Sequence, residues 1–199
     1  MLKKMFLTFC LLFPLCVFAD LDNILVGNVQ YDWIDKDELA KEEMIQEVRD
    51  IIFKAKLENR KDLKKLFYDK LKDKNYIENY KAASEGLKEF NGNFISAFFY
   101  KKMPYLYMYG LQDKRDLSTA FYYDAAGNLR YIDFIDGYFP DYPYSAIQYR
   151  ISGKPVSAIY YASKDCQYLF KPNGEFEGVW YKHKLYNTKN RIILTRTTY

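Results

Sequence analysis

Apolar positions recur every three to four residues in the first half of the chain, which predicts amphipathic helices between about 35 and 90. The first carries its apolar residues from Leu39 to Ala55, and Asp35 is its expected N-cap. A second begins near Lys61, and a third extends from about Tyr76 to Phe90. Each of these helices has one apolar stripe that must be covered in the folded protein.

Beyond Asn93 the pattern changes to the alternation that is typical of strands. Glycine-containing sequences at 126–128, 152–154 and 172–174 join neighbouring strands in the way that tight hairpins require. The tail from Arg191 to Tyr199 is expected to add an edge strand, because its arginines and threonines suit an exposed edge. We predict eight strands in an antiparallel meander, at about 94–101, 105–111, 117–124, 128–135, 145–151, 155–161, 166–171 and 175–182.

Alternation within the strands predicts a sheet with one apolar face. In the last of the eight, Phe176, Gly178 and Trp180 share one side. The N-terminal helices are the only other element long enough to cover such a face. We therefore expect an α+β fold, with N-terminal amphipathic helices packed on one face of a C-terminal antiparallel β-meander of about eight strands. The alternative is that the strands close into a barrel around a cavity, which would leave the helices little to bury.

The first residues follow the plan of a secretory signal peptide. Lys3 and Lys4 precede an apolar run, and a cleavage site is expected after Ala19. The apolar run is shorter than the roughly 20 residues that a membrane-spanning helix needs. An uncleaved anchor and lipid attachment at Cys16 are the alternatives. We expect residues 1–19 to be removed and 20–199 to form a single α+β domain, with a helical part at about 35–90, the meander at 94–182 and an edge segment at 183–199.

Charge and cysteine content narrow the possible functions. The net charge of +4 falls to +2 when Lys3 and Lys4 are removed, which makes nucleic acid an improbable partner. The sequence predicts an exported protein, periplasmic or extracellular, without a transmembrane segment after signal cleavage. Cleavage also leaves Cys166 as the only thiol, so no internal disulfide can form and stability must come from a core.

One short stretch resembles a known repeat. The run from Tyr123 to Arg130, YDAAGNLR, resembles the YD repeat of bacterial Rhs-type cell-surface proteins, in which a Tyr-Asp pair precedes a glycine turn and a short apolar strand. The run from Tyr168 to Phe176 resembles a degenerate copy, with Lys171 in place of the aspartate. The better copy covers only eight of the 199 residues. The resemblance implies a non-enzymatic β-sheet scaffold at the cell envelope or outside it.

Few residues suggest catalysis. His183 is the only histidine, and no motif links it to Cys166 as a catalytic pair. One histidine and one cysteine do not make a usual zinc ligand set, and we expect no metal and no cofactor. Glu175 and Glu177 lie two apart on a predicted strand, roughly 7 Å from each other, which is a separation found in inverting glycosidases. Any solvated strand face produces the same spacing.

Aromatic residues are more abundant than a sheet with one buried face requires, with 21 Tyr and 15 Phe. The link at 136–145, DGYFPDYPYS, combines such residues with two prolines that stiffen it. Rigid aromatic side chains bind sugar rings and protein partners at low entropic cost. The alternative is that these rings seal an edge of the sheet. The candidate binding residues are Tyr138, Phe139, Tyr142 and Tyr144, and no catalytic residue is predicted.

The sequence therefore favours a non-catalytic binding or structural module at the cell envelope. Its expected partner is an envelope polysaccharide or another envelope protein. One alternative is a carbohydrate-active hydrolase that uses the carboxylate pair. The other is a carrier of an apolar ligand, which requires that the strands close around a dry cavity.

Overall fold

The computed structural model describes residues 24–26, 29–31, 40–53, 57–100, 105–136 and 139–197. The predicted signal peptide at 1–19 and the predicted N-cap Asp35 lie outside these residues. Near the N-terminus, β1 (Ile24–Val26) and β2 (Val29–Tyr31) pair as a short antiparallel hairpin. The remaining elements form three short helices and a large antiparallel sheet.

Ten strands of this sheet close into an antiparallel barrel. Each is hydrogen-bonded to its neighbours in sequence, and the last also pairs with the first. A two-residue strand, β3 (Glu89–Phe90), is added beside the start of the barrel. The barrel strands are β4 (Asn93–Tyr100), β5 (Met108–Asp113), β6 (Thr119–Asp124), β7 (Leu129–Asp136), β8 (Tyr144–Arg150), β9 (Pro155–Tyr161), β10 (Cys166–Phe170), β11 (Phe176–Tyr181), β12 (Lys184–Asn187) and β13 (Ile192–Arg196).

The predicted open meander of about eight strands, covered on one face by helices, is wrong. Each of the eight predicted strands overlaps an observed one, but β12 and β13 follow them within the segment 183–199 that was expected to be an edge. There, Leu194 pairs with Tyr100 and Arg196 pairs with Phe98. This pairing removes the free edges of the meander, because each edge supplies the hydrogen-bonding partner of the other. The sheet therefore has an inner and an outer face.

The helices are short and lie outside the barrel. They are α1 (Glu42–Ile52), α2 (Leu63–Leu66) and α3 (Tyr76–Ser84), with a 3-10 turn at Tyr68–Lys70. Within the described part of the chain, no helix combines the length and the apolar character needed to cross a bilayer.

Two apolar clusters lie between these helices and the outer face of the barrel. From α1, Met44, Ile45 and Val48 are buried in a cluster with outer residues of β9, β10 and β11. From α3, Ala82 and Ala83 are buried in a second cluster with outer residues of β4 to β7. Full burial of a side chain such as Val48 contributes about 1.5–3 kcal/mol. The outer face of the barrel thus covers the apolar stripes of the helices. The helices cover only the outer face of the sheet, whereas its inner face is shielded by closure of the barrel.

The stretch that resembles a YD repeat is the β6–β7 hairpin. The carboxylate of Asp124 accepts hydrogen bonds from the backbone N–H groups of Ala126 (3.0 Å) and Asn128 (2.9 Å). Its other oxygen accepts one from Nε of Arg130 at 2.8 Å. Gly127 supplies the positive φ, +74°, that the turn requires. The aspartate therefore closes the turn by binding backbone groups that would otherwise be unpaired.

A bulge in β11 changes the face on which its residues lie. Leu169 pairs with Gly178, and the following residue of β10 pairs with Phe176, so Glu177 is an extra residue in β11. The predicted shared face of Phe176, Gly178 and Trp180 is therefore broken. Phe176 packs on the outside with the α1 cluster, and Trp180 lies in the barrel interior.

The β8–β9 turn is held against the segment that precedes α2. The backbone N–H of Arg60 donates a hydrogen bond of 2.8 Å to the carbonyl oxygen of Gly153. The Arg60 guanidinium lies over the ring of Phe134, 3.9 Å from its centroid. Gly153 has a φ of +87°, and a Cβ at this position would lie 1.7 Å from the Arg60 carbonyl oxygen. The turn accepts no side chain unless the 57–60 segment moves.

Gly153→Ala should therefore destabilise the protein more than the same change at a glycine with open surroundings. Gly92 is the matched control, since its φ is +75° and no atom lies within 4 Å of its added Cβ. Gly92→Ala should cost about 1–2 kcal/mol from left-handed backbone strain alone. Gly153→Ala should cost at least about 2 kcal/mol more, because it also separates the turn from Arg60. Urea unfolding of both variants measures this, and equal losses would contradict the packing of 57–60 on the turn.

Candidate functional site

The inner face of the barrel encloses a cavity of about 290 Å³. Its walls come from nearly all of the barrel strands and are mostly apolar. Branched aliphatic side chains form one part of the wall, namely Ile159, Leu169, Leu185 and Leu194. These residues occupy inward positions of β9, β10, β12 and β13, because alternate residues of a strand lie on one face. The cavity is therefore a product of strand closure.

Aromatic rings meet inside the barrel. Phe98 lies 5.7 Å from Tyr122 and 6.0 Å from Trp180 between ring centroids. These rings come from β4, β6 and β11, which are not neighbouring strands, so their contacts cross the interior. Gly110 leaves space for the Tyr122 ring, because a Cβ at Gly110 would lie 3.0 Å from that ring. The rings leave a lining that is apolar and rigid.

The cavity reaches solvent at the end of the barrel where β4 and β5 are connected. Tyr100 and Tyr107 line it there, and their ring centroids are 5.9 Å apart. Tyr100 is 53% exposed and Tyr107 is 43% exposed. Because these two side chains are partly exposed and also line the cavity, they mark its opening to solvent, which we call the mouth.

Three of the four predicted binding residues lie together at the opposite end. Tyr144 stacks on Tyr161 with centroids 4.3 Å apart, and Phe139 and Tyr142 contact Tyr144 at 5.1 and 5.3 Å. Tyr138 lies outside the described residues. Tyr144 is only 7% exposed, so this group closes the barrel end instead of forming a free aromatic loop. A binding role for these residues stays a prediction.

A buried carboxylate lies on the inner face of β7. Asp133 accepts a hydrogen bond from the Tyr122 hydroxyl at 2.7 Å and another from Nε2 of Gln148 at 2.8 Å. It is 1% exposed. Burial raises the pKa of Asp133 from 3.8 to about 6, although both hydrogen bonds act in the opposite direction.

A buried arginine lies on the inner face of β13. Nη1 of Arg196 donates to Oε1 of Gln167 at 2.8 Å, and Nε donates to the Lys182 carbonyl oxygen at 3.1 Å. The guanidinium lies 4.5 Å from the ring centroid of Trp180. Nη2 makes no hydrogen bond within the described part of the chain. Arg196 was not predicted as a site residue, because the tail was expected to form an exposed edge strand. The one signal in the sequence is that Arg196 lies two residues after Leu194 and therefore shares a strand face with this apolar residue.

The residues considered for catalysis are dispersed. Cys166 is fully buried, burial raises the pKa of its thiol, and it is not accessible for pairing two copies of the chain. Nδ1 of His183 lies 3.0 Å from the carbonyl oxygen of Arg196. Glu175 forms a surface ion pair with Lys171, whereas Glu177 lines the barrel cavity. Among the described residues, no group of three or more His, Cys, Asp or Glu side chains is placed to hold a metal ion.

A second cavity, of about 520 Å³, lies outside the barrel between α1 and the β11–β12 region. Its most prominent charged group, Arg49, already donates from Nε to the Gly174 carbonyl oxygen at 2.9 Å. It therefore contributes to holding the β10–β11 turn against the helix. The barrel interior is the better candidate site, because it combines a mostly apolar lining with a buried polar group that has no hydrogen-bond partner among the described residues.

Asp133→Asn should change the pH dependence of stability. Because the folded pKa of Asp133 lies above its ordinary value, the native state binds this proton more tightly than the unfolded state. Its contribution to stability is thus complete below about pH 4 and is lost as the pH rises through about 6. The stability of Asp133→Asn relative to wild type should rise by about 2–3 kcal/mol between pH 4 and pH 7.5.

The measurement is urea unfolding of both proteins across this pH range. Asp136→Asn is the matched control, since Asp136 is an exposed carboxylate on the same strand. It removes a surface carboxylate from the same strand, so a pH effect that appears only in Asp133→Asn belongs to the buried site. A flat difference between wild type and Asp133→Asn would show that the buried carboxyl group titrates normally.

Comparison with known proteins gave no relative to guide the assignment. No protein-family model matches the chain. Neither a curated protein nor a solved structure matches it. The geometry of the barrel cavity is therefore the basis for assigning a function.

Proposed function

We propose that this protein binds a small, mostly apolar ligand inside its barrel and acts as a carrier or sensor of that ligand. The observation that carries the proposal is the cavity of about 290 Å³, open at the Tyr100 and Tyr107 end and closed at the Tyr144 end. Its volume is close to the lower end of the range of about 300–1,000 Å³ for ligand sites. It suits a molecule of the size of one short acyl chain or a small ring system.

The wall of the cavity supports an apolar ligand. Aliphatic side chains from several strands and the rings of Phe98 and Trp180 form most of the lining. Burying apolar surface there contributes roughly 25 cal/mol for each Å² removed from water. A smaller number of polar groups, such as Gln167 and Arg196, complete the lining, which is typical of sites that orient one ligand.

Surface binding of an envelope polymer is less well supported. That reading depended on a free aromatic loop, but Tyr144 is buried by its contacts with Phe139 and Tyr161. The hydrolase reading depended on two carboxylates facing each other across a groove, and Glu175 and Glu177 line different cavities. We further propose that binding occurs outside the cytoplasm, which follows from the predicted signal peptide at 1–19.

Filling the cavity should abolish binding. We expect the neutral dye N-phenyl-1-naphthylamine to bind the wild-type protein with increased fluorescence. Leu194→Trp replaces an aliphatic side chain of the cavity wall with a larger indole ring, and it should weaken dye affinity by at least about tenfold. Fluorescence titration measures the affinity.

Thr195→Trp is the matched control. It introduces the same side chain on the same strand, one residue away, and Thr195 pairs with Phe99, which packs in the outer cluster, so it lies on the outer face. Its dye affinity should stay within about twofold of wild type. Equal weakening in both variants, or no dye binding by the wild-type protein, would contradict a ligand site inside the barrel.

A further inference from the structure

Arg196 has a donor that the protein leaves unused. The side chain is 91% buried, since its exposed fraction is 9%. Two of its three nitrogens are held, by Gln167 and by the Lys182 carbonyl group, and one side of the guanidinium plane lies against Trp180. These contacts fix the orientation of the group. Nη2, which has no hydrogen-bond partner among the described residues, belongs to a side chain that lines the cavity.

No described residue neutralises the charge of Arg196. No carboxylate of a described residue forms a salt bridge with it within 4.0 Å. Both oxygens of Asp133 are bound to Tyr122 and Gln148. The partners of Arg196 are neutral, so a buried positive charge persists, and burial without a counter-charge is costly. An anion that enters the cavity and reaches Nη2 would compensate this charge.

A neighbouring tyrosine offers a second donor. Tyr161 lines the same cavity, and its hydroxyl can donate a hydrogen bond to a ligand there. Its ring is fixed by stacking on Tyr144, with centroids 4.3 Å apart. The Tyr161 hydroxyl is also close enough to influence the pKa of Arg196, although the larger effect there is burial, which lowers it. An arginine still remains protonated at neutral pH.

On the basis of the proposed function, we infer that the ligand is an amphiphile with a single carboxylate head group, bound with the carboxylate at Nη2 of Arg196 and the apolar tail toward the Tyr100 and Tyr107 mouth. Charge–charge hydrogen bonds between arginine and a carboxylate are among the stronger ones in proteins. The tail would lie along the aliphatic wall formed by residues such as Leu169 and Leu194.

The lining also limits the head group to one negative charge. Arg196 is the only lysine or arginine among the described residues that line the cavity. Glu177 lines it as well, and Asp133 is buried on the same inner face. A doubly charged phosphate would bring a second negative charge that no cation in the lining compensates. A monocarboxylate matches the single positive charge of Arg196.

The test compares three probes of the same chain length: decanoate, decan-1-ol and decylamine. Affinity is measured at pH 8 by calorimetry or by displacement of N-phenyl-1-naphthylamine. In the wild-type protein, decanoate should bind at least tenfold more tightly than decan-1-ol, and decylamine should bind most weakly. In Arg196→Met, decanoate should lose at least tenfold in affinity, whereas decan-1-ol should stay within twofold.

Two further variants keep Arg196 in place. Tyr161→Phe removes the second donor and should weaken decanoate at least threefold without changing decan-1-ol. Gln167→Leu removes one of the two hydrogen bonds that hold Arg196 and should weaken decanoate less than Arg196→Met does, because the positive charge stays in the cavity. Arg150→Met is the charge control, because Arg150 is exposed at the end of β8 and its loss should leave the affinity of decanoate unchanged.

The outcomes separate this inference from the proposed function. If no probe binds the wild-type protein, both are wrong. If decan-1-ol binds as tightly as decanoate, the cavity binds apolar ligands but the carboxylate assignment is wrong. If Arg196→Met loses both probes equally while remaining folded, Arg196 only shapes the cavity and the assignment is again wrong. If Arg196→Met does not fold, the comparison of decanoate with decylamine in wild type and in Tyr161→Phe decides, and equal binding of these two probes overturns the assignment.

Discussion

The pairing of the last strand with the first is the constraint on which the rest of the structure depends. Three residue pairs join β13 to β4, from Leu194 with Tyr100 to Arg196 with Phe98. They remove both free edges of the sheet and divide every strand into inward and outward residues. The same pairing brings the C-terminal segment into the wall, so a side chain near the end of the chain becomes part of the interior.

Closure explains how the protein uses so many aromatic residues. A meander with one buried face has too few positions to hide 21 Tyr and 15 Phe. A closed barrel has two buried surfaces: the outer face packs under α1 and α3, and the inner face is filled by rings such as Phe98 and Trp180. Cys166, the only cysteine among the described residues, is free, so these two buried surfaces supply the stability of the described barrel.

The sequence predicted the local structure well and the closure poorly. The hairpins could be located because turn residues such as Asp124 and Gly127 have local effects that are visible in a short window. Closure depends on a pairing between residues almost a hundred positions apart, which periodicity does not reveal. The bulge at Glu177 likewise reverses the face of Phe176 relative to Trp180, and no alternation pattern anticipates it.

The same limits apply to the candidate site. The aromatic content of the 136–145 link was evident, but its place at the closed end of a barrel follows only from the fold, through the stacking of Tyr144 on Tyr161. Arg196 was placed in an exposed edge because arginine is usually solvated. A buried arginine can be recognised from sequence only when the face of its strand is known, and that face is set by the pairing with β4.

The separation of the buried charges of Arg196 and Asp133 supports the proposed anionic ligand. If Arg196 and Asp133 formed an ion pair, the cavity would be neutral and indifferent to the charge of a ligand. Instead, each is held by neutral groups, Asp133 by Tyr122 and Gln148, and Arg196 by Gln167 and a backbone carbonyl. Their separation keeps a positive charge available in an apolar enclosure, where it interacts more strongly than it would in water. Burying Arg196 without a counter-charge is costly, and the proposed carboxylate ligand would offset this cost on binding.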